Sequence, residues 1–168
     1  CKFWSIEKNF NRLKNGDYGK LNMLYTYKII LEHRDDFDNF LIEVADEIIN
    51  SLDKADFEIW DARSPGEYTG DVIRSSRAGH IPNAINLEWT ELMDREKNLR
   101  IRDDAQQILD AIGLTKDIEI ATHCQSHHRS SFTYMVARIL GYSRIRGYDG
   151  SWGEWGNLEH TPAELGPN

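Results

Sequence analysis

Ile118-Glu119-Ile120-Ala121-Thr122-His123-Cys124-Gln125-Ser126-His127-His128-Arg129 is the stretch on which the fold turns. Its first five residues have the β-branched, apolar character of a strand, and they lead straight into Cys124. A helix is expected directly after it, from Ser130 to Leu140, with Phe132, Met135, Val136, Ile139 and Leu140 on the buried side and Gly141 as its stop. Working outward, Arg144-Ile145-Arg146 reads as a short strand, as do Phe57-Glu58-Ile59-Trp60, ending at Asp61, and Ala84-Ile85-Asn86-Leu87. A helical stretch from Ala105 to Ile112 stops at Gly113. Strands alternating with helices indicate an α/β domain: a mainly parallel central sheet flanked by helices. Ahead of it, residues 21–31 and 40–52 carry apolar residues at helical spacing, including Phe40, Leu41, Val44, Ile48 and Leu52, and read as amphipathic helix.

Composition sets the outer limits. A chain of 168 residues holds one ordinary domain, and a hydrophobic share of 40% with five Trp is too high for a disordered one. Polar or charged residues interrupt every apolar cluster, so no membrane-spanning run is expected. Two cysteines, Cys1 and Cys124, cannot build a disulfide framework, and the reducing cytoplasm is the compartment that fits. The opening residues lack a secretory signal, and the missing initial Met points to a fragment or a processed chain. A net charge of -8 argues against nucleic acid and anionic membranes as partners. Yet between residues 120 and 148 there is no Asp or Glu, while Arg129, Arg138, Arg144 and Arg146 all fall there. A locally positive patch of that kind attracts a small anion.

Cys124 itself sits where a strand ends and a helix begins. In open α/β sheets ligands bind there, because the loop faces unpaired N–H groups and the positive end of the helix dipole. A thiol so placed is expected to ionise readily and to act as a nucleophile. The bland reading, an inert core cysteine, does not explain the polar run Gln125-Ser126-His127-His128-Arg129-Ser130. A metal site made of His123, Cys124, His127 and His128 is the other alternative; it is disfavoured because structural zinc takes ligands from two separated segments.

Four blocks, in order, carry a resemblance. They are Trp60-Asp61-Ala62-Arg63-Ser64-Pro65-Gly66-Glu67-Tyr68, Arg77-Ala78-Gly79-His80-Ile81-Pro82-Asn83-Ala84-Ile85-Asn86, the Cys124 loop, and Tyr148-Asp149-Gly150-Ser151-Trp152-Gly153-Glu154-Trp155. Together they resemble the rhodanese sulfurtransferases, and the last looks like the block closing the catalytic second domain of the tandem-domain thiosulfate and 3-mercaptopyruvate enzymes. The resemblance implies a rhodanese-like catalytic domain over residues 51–168. Residues 1–50 then form a helical N-terminal extension or the remnant of a preceding rhodanese-like domain. It implies covalent catalysis: Cys124 takes the outer sulfur of a small anionic donor, thiosulfate or 3-mercaptopyruvate, holds it as a persulfide, and yields it to a thiol or cyanide acceptor. Loop groups from Gln125 to Ser130 would cradle the anion, and no metal or organic cofactor is needed.

The resemblance leaves two other functions open, a phosphatase and a non-catalytic binding module. Cysteine phosphatases look like Cys-x5-Arg, whereas Arg129 follows Cys124 after four residues, a shorter cradle that suits a single sulfur atom. Retention of the cysteine counts against the binding module. Asp61 and Arg63 are expected either to touch the donor or to brace the loop as an ion pair. Trp152 and Trp155 either wall the donor pocket or pack in the core, His80 reads as a turn residue, and Glu67 stands where the best-known thiosulfate enzymes have a donor-binding Arg. His127 and His128 are expected to carry partial charge near neutrality. Arg129 is expected to point outward and steer donors by its charge.

Overall fold

The computed structural model describes residues 41, 42 and 44–167. Cys1, Phe40 and the helical pattern at 21–31 lie outside the described residues. The main sheet has five strands in the order β1-β7-β6-β2-β3, every pair parallel. These are β1 (Leu41–Ile42), β2 (Phe57–Asp61), β3 (Ile85–Asn86), β6 (Glu119–His123) and β7 (Ile145–Tyr148). A separate antiparallel pair, β4 (Met93–Asp94) with β5 (Arg100–Ile101), was not foreshadowed, since strands of two residues leave no period to read. The helices are α1 (Ala45–Ile49), α2 (Pro65–Thr69), α3 (Ala105–Ala111), α4 (His128–Leu140) and α5 (Ser151–Trp155). None is long and apolar enough to cross a membrane.

Side chains alternating across the central strands build a core on each face of the sheet. Trp60 of β2 and Ile120 of β6 face one way, with Leu109, Val136 and Ile145. Ile59 and Ala121, one residue along, face the other way with Ile48, Tyr148, Trp152 and Trp155. The register pairs Asp61 with His123 and Thr122 with Gly147. The carboxyl ends of β2, β6 and β7 therefore lie side by side, and the loops after them share one edge of the sheet.

Two expectations are corrected. Leu41 and Ile42 are not helical: they pair with Gly147 and Tyr148 as an edge strand, and only Ala45–Ile49 forms a helix. The open edge of β7 offers these residues backbone partners that local helical spacing cannot reveal; the Ile42 carbonyl, for instance, accepts the Asp149 N–H. Ile42, Ala45 and Ile48 lie in the core that packs on the Ile59 face of the sheet. In α4 the buried face is Ser130, Ser131, Thr133, Tyr134, Val136 and Ala137. Phe132, Met135, Ile139 and Leu140 are only half-buried. Small polar residues let the helix approach β6 closely, and the buried Thr133 and Thr122 hydroxyls meet at 2.7 Å.

Candidate active site

Cys124 follows the last residue of β6, is 1% exposed, and opens a loop that enters α4 at His128. A single serine fastens both ends of that loop. The Ser151 hydroxyl accepts the N–H of Cys124 at 3.4 Å and of His127 at 3.0 Å, and donates to the Tyr148 carbonyl at 2.9 Å. Ser151 holds the left-handed conformation, φ 52°, that brings its hydroxyl to this position. The lacing continues along α5: Trp152 N–H donates to the Cys124 carbonyl at 2.9 Å and Gly153 N–H to the Gln125 carbonyl at 2.8 Å. A methyl group on Gly153 would lie 2.8 Å from that carbonyl oxygen, so the contact needs glycine.

The loop turns at His127, also left-handed at φ 56°. Its buried ring has Nδ1 at 2.8 Å from the Ser130 hydroxyl and lies against Gly147, where a Cβ would come within 2.4 Å of the imidazole. Burial pushes the His127 pKa down to about 4, so the ring is neutral at pH 7, contrary to the expectation of partial charge. His128 is exposed and meets the Ser126 hydroxyl through Nδ1 at 3.0 Å. His123 is buried against Asp61, with Nε2 3.6 Å from the carboxylate, and burial pushes its pKa down as well. The three histidines of the suggested metal cluster thus turn to three different partners.

Arg129 does not point outward. Its two terminal nitrogens donate to the two Glu67 oxygens at 2.6 and 2.8 Å; Glu67 raises the guanidinium's pKa against the effect of burial, and the nearby Cys124 adds to that rise. The cation is therefore fixed on a buried carboxylate in the neighbourhood of the nucleophile. Glu67 in turn belongs to the first turn of α2, where it forms a capping box with Ser64. Burial works against the Glu67 charge, but Arg129 and Ser64 outweigh it and hold its pKa at about 2. Arg74, from the loop after α2, places Nε 2.9 Å from Glu67 Oε1 while its side chain stays 57% exposed. The Arg74 carbonyl and the Ser75 hydroxyl accept the Gln125 side-chain amide at 3.3 and 3.1 Å.

The acid-free segment is less positive in space than in sequence. Arg129 meets Glu67, Arg144 meets Asp56, and Arg146 meets Glu47 and Glu119, all carboxylates from other parts of the chain. Asp61 and Arg63 form a buried ion pair: they are 0% and 1% exposed, and Arg63 donates to both Asp61 oxygens and to the Gly79 carbonyl. Burial opposes the Asp61 charge, yet His123 and Arg63 overcome it and keep the carboxyl below its ordinary range. Trp152 and Trp155 are both buried, and the Arg63 guanidinium lies 4.5 Å from the Trp152 ring centroid. Both belong to the core cluster on the Ile59 face of the sheet. His80, expected as a turn residue, is buried in an isolated antiparallel bridge with Glu164, stacks on Tyr68 at 3.8 Å and meets the Tyr68 carbonyl through Nδ1. Ser151, Gly147 and Arg74 escaped the sequence reading; Ser151 lies within a quoted block, while Arg74 carries no local signal.

Comparison with known proteins agrees with this architecture. Residues 44–158 match the family model described as "Rhodanese-like domain". A "Thiosulfate sulfurtransferase" of Azotobacter vinelandii is 54% identical over 71% of this chain and 44% of its own length. A protein of the same name from Pseudomonas aeruginosa is 54% identical over 68% of this chain and 42% of its own length. This chain thus spans less than half the length of these relatives. Among solved structures, EanB with ergothioneine covalently linked with a persulfide cysteine superposes with a TM-score of 0.70 at 26% identity, over 77% of this chain and 32% of that one. On the family match and the five-stranded parallel sheet together, the chain belongs to the rhodanese-like domain family.

Proposed function

We propose that this domain is a sulfurtransferase that moves sulfane sulfur from a small anionic donor, through a persulfide on Cys124, to a thiol or cyanide acceptor. The observation that carries the reading is the arrangement around one sulfur. Cys124 sits at the carboxyl end of β6, Ser151 ties its loop to α5, and the Arg129 guanidinium is held beside it. The first turn of α4 contains no acidic residue, so nothing there opposes an anion at its N-terminal end.

With thiosulfate, the Cys124 thiolate attacks the outer sulfur. A new S–S bond forms, the bond to the sulfonate sulfur breaks, and sulfite leaves with the electron pair. The persulfide anion that remains gains from Arg129 and from the positive N-terminal end of α4. Cyanide then attacks the outer sulfur, leaving as thiocyanate and returning the Cys124 thiolate. The chemistry needs only the cysteine and the anion cradle. Part of the support for a thiosulfate-type donor is the name of the two relatives that share 54% identity. We place the domain in a reducing, cytoplasmic setting, where the buried Cys124 thiol stays reduced, and beside a preceding rhodanese-like domain, a reading for which the relatives' greater length leaves room.

Steady-state sulfur transfer with thiosulfate and with 3-mercaptopyruvate, measured side by side on the wild type and on Cys124→Ser, tests the proposal. Activity with at least one donor that vanishes in the variant is expected; turnover surviving in Cys124→Ser would refute it.

A further inference from the structure

The two cationic side chains around Glu67 are not equivalent. Both terminal nitrogens of Arg129 are consumed by the Glu67 carboxylate, and the side chain is 24% exposed. Arg74 spends only its inner Nε on the same carboxylate and keeps 57% of its surface open. Among the described residues its two terminal amino groups take part in no hydrogen bond or ion pair. The other arginines nearby are committed. Arg63 is buried under Trp152, and Arg77 donates to the Trp155 and Thr161 carbonyls.

Arg74 is also tied to the loop from two directions. Its backbone carbonyl and the adjoining Ser75 hydroxyl hold the side chain of Gln125, the residue directly after the nucleophile. Its side chain forms an ion pair with the carboxylate that fixes Arg129, in the first turn of α4. The Cys124 loop thus lies between two points that Arg74 touches. A guanidinium engaged at one nitrogen and more than half exposed keeps donors for an oxyanion, which this planar group can hold bidentately.

We propose that Arg74 is the donor-binding residue of this domain, clasping the oxyanion end of a sulfonate-type donor such as thiosulfate while the outer sulfur lies at Cys124. This rests on the sulfurtransferase reading above. Glu67 serves as its positioning residue: it absorbs one positive charge and sets the direction of the fork. Arg129, by contrast, attends to the sulfur that stays behind. The division assigns donor capture to a loop remote in sequence from the nucleophile and persulfide stabilisation to the cysteine loop.

The test is the rate of persulfide formation from thiosulfate over a salt series, for the wild type, Arg74→Ala and Arg74→Lys, with thermal melts alongside. Arg74→Ala is expected to lower kcat/KM about tenfold, mainly through KM, and to flatten the salt dependence. Its melting temperature should stay that of the wild type, because an exposed ion pair contributes little stability. Arg74→Lys should keep the salt slope and recover only part of the affinity, having charge without the fork. Discharge of a preformed persulfide by neutral dithiothreitol should be unchanged in both. A wild type that forms persulfide with thiosulfate, together with an Arg74→Ala whose KM and salt slope match it, would overturn the assignment while leaving the sulfurtransferase reading intact. A fall in melting temperature with kcat reduced and KM unchanged would make Arg74 structural and overturn it too. Failure of the wild type to form persulfide with any donor would remove both readings.

Discussion

Arg129 and Glu67 face each other across the site, the guanidinium donating to both carboxylate oxygens at 2.6 and 2.8 Å. The pair joins the end of the cysteine loop to the capping box at the start of α2, so loop geometry depends on a carboxylate 62 residues away. A bidentate, largely desolvated pair of this kind is costly to break from one side, because the partner left behind stays buried.

Arg129→Ala is therefore expected to destabilise the domain by about 2 kcal/mol, with Arg74 remaining as a second cation for Glu67. Activity should fall in kcat as well as KM, since the group beside the sulfur is lost. Thermal melts and steady-state rates on one preparation check this. An unchanged melting temperature with only KM raised would restore an outward, steering role for Arg129.

Ser151 offers two distinguishable variants. Ser151→Ala removes the acceptor for two loop amides and retains a Cβ at φ 52°, so a loss of about 1–3 kcal/mol is expected. Ser151→Gly also removes the hydroxyl but relaxes the backbone, and should be the more stable of the two by a few tenths of a kcal/mol or more. Both should form persulfide slowly, because the loop is no longer pinned. Denaturant unfolding with donor-half-reaction rates separates strain from hydrogen bonding; wild-type rates in both variants would exclude Ser151 as the loop's anchor.

The acid limb of stability should carry the signature of His127. Its folded pKa of about 4 lies below the ordinary histidine value, so the unfolded chain binds the proton more readily. The stabilisation is complete above the unfolded value near ~6.5 and is lost as pH falls towards 4. Glu67, at about 2, adds a second loss from its ordinary value downward. Unfolding free energies measured between pH 7 and 4 should decline, and His127→Asn should flatten that decline. An identical slope in the variant would contradict the buried, neutral ring.

Aryl-phosphate hydrolysis is expected to be negligible beside sulfur transfer. The Cys-x4-Arg loop is closed by Ser151 and Glu67 at its two ends, which leaves it no freedom to widen around a phosphoryl group. Phosphatase turnover equal to or above sulfur transfer would contradict the loop-length argument.

Much of this was legible in the sequence, and the exceptions share a cause. The strands at Phe57, Ile120 and Ile145, the helix after Cys124 and its Gly141 stop follow from local periodicity and turn chemistry. Leu41 and Ile42 were misread because an edge strand is decided by its neighbour β7, not by its own spacing. The positive segment was overread for the same reason: its arginines are matched by Glu67, Asp56 and Glu47, which only folding brings near. Arg74 could not be found from the cysteine loop, since it lies 51 residues from Gln125 along the chain. Buried histidines, too, are indistinguishable from exposed ones until Gly147 is seen beneath the His127 ring.

The central claim is that Cys124 carries the sulfur. Intact-mass measurement after exposure to thiosulfate or 3-mercaptopyruvate tests it most directly. The account predicts a single added sulfur on the wild type, removed by cyanide or dithiothreitol and absent from Cys124→Ser. No added sulfur with either donor, or an adduct that persists in Cys124→Ser, would contradict it.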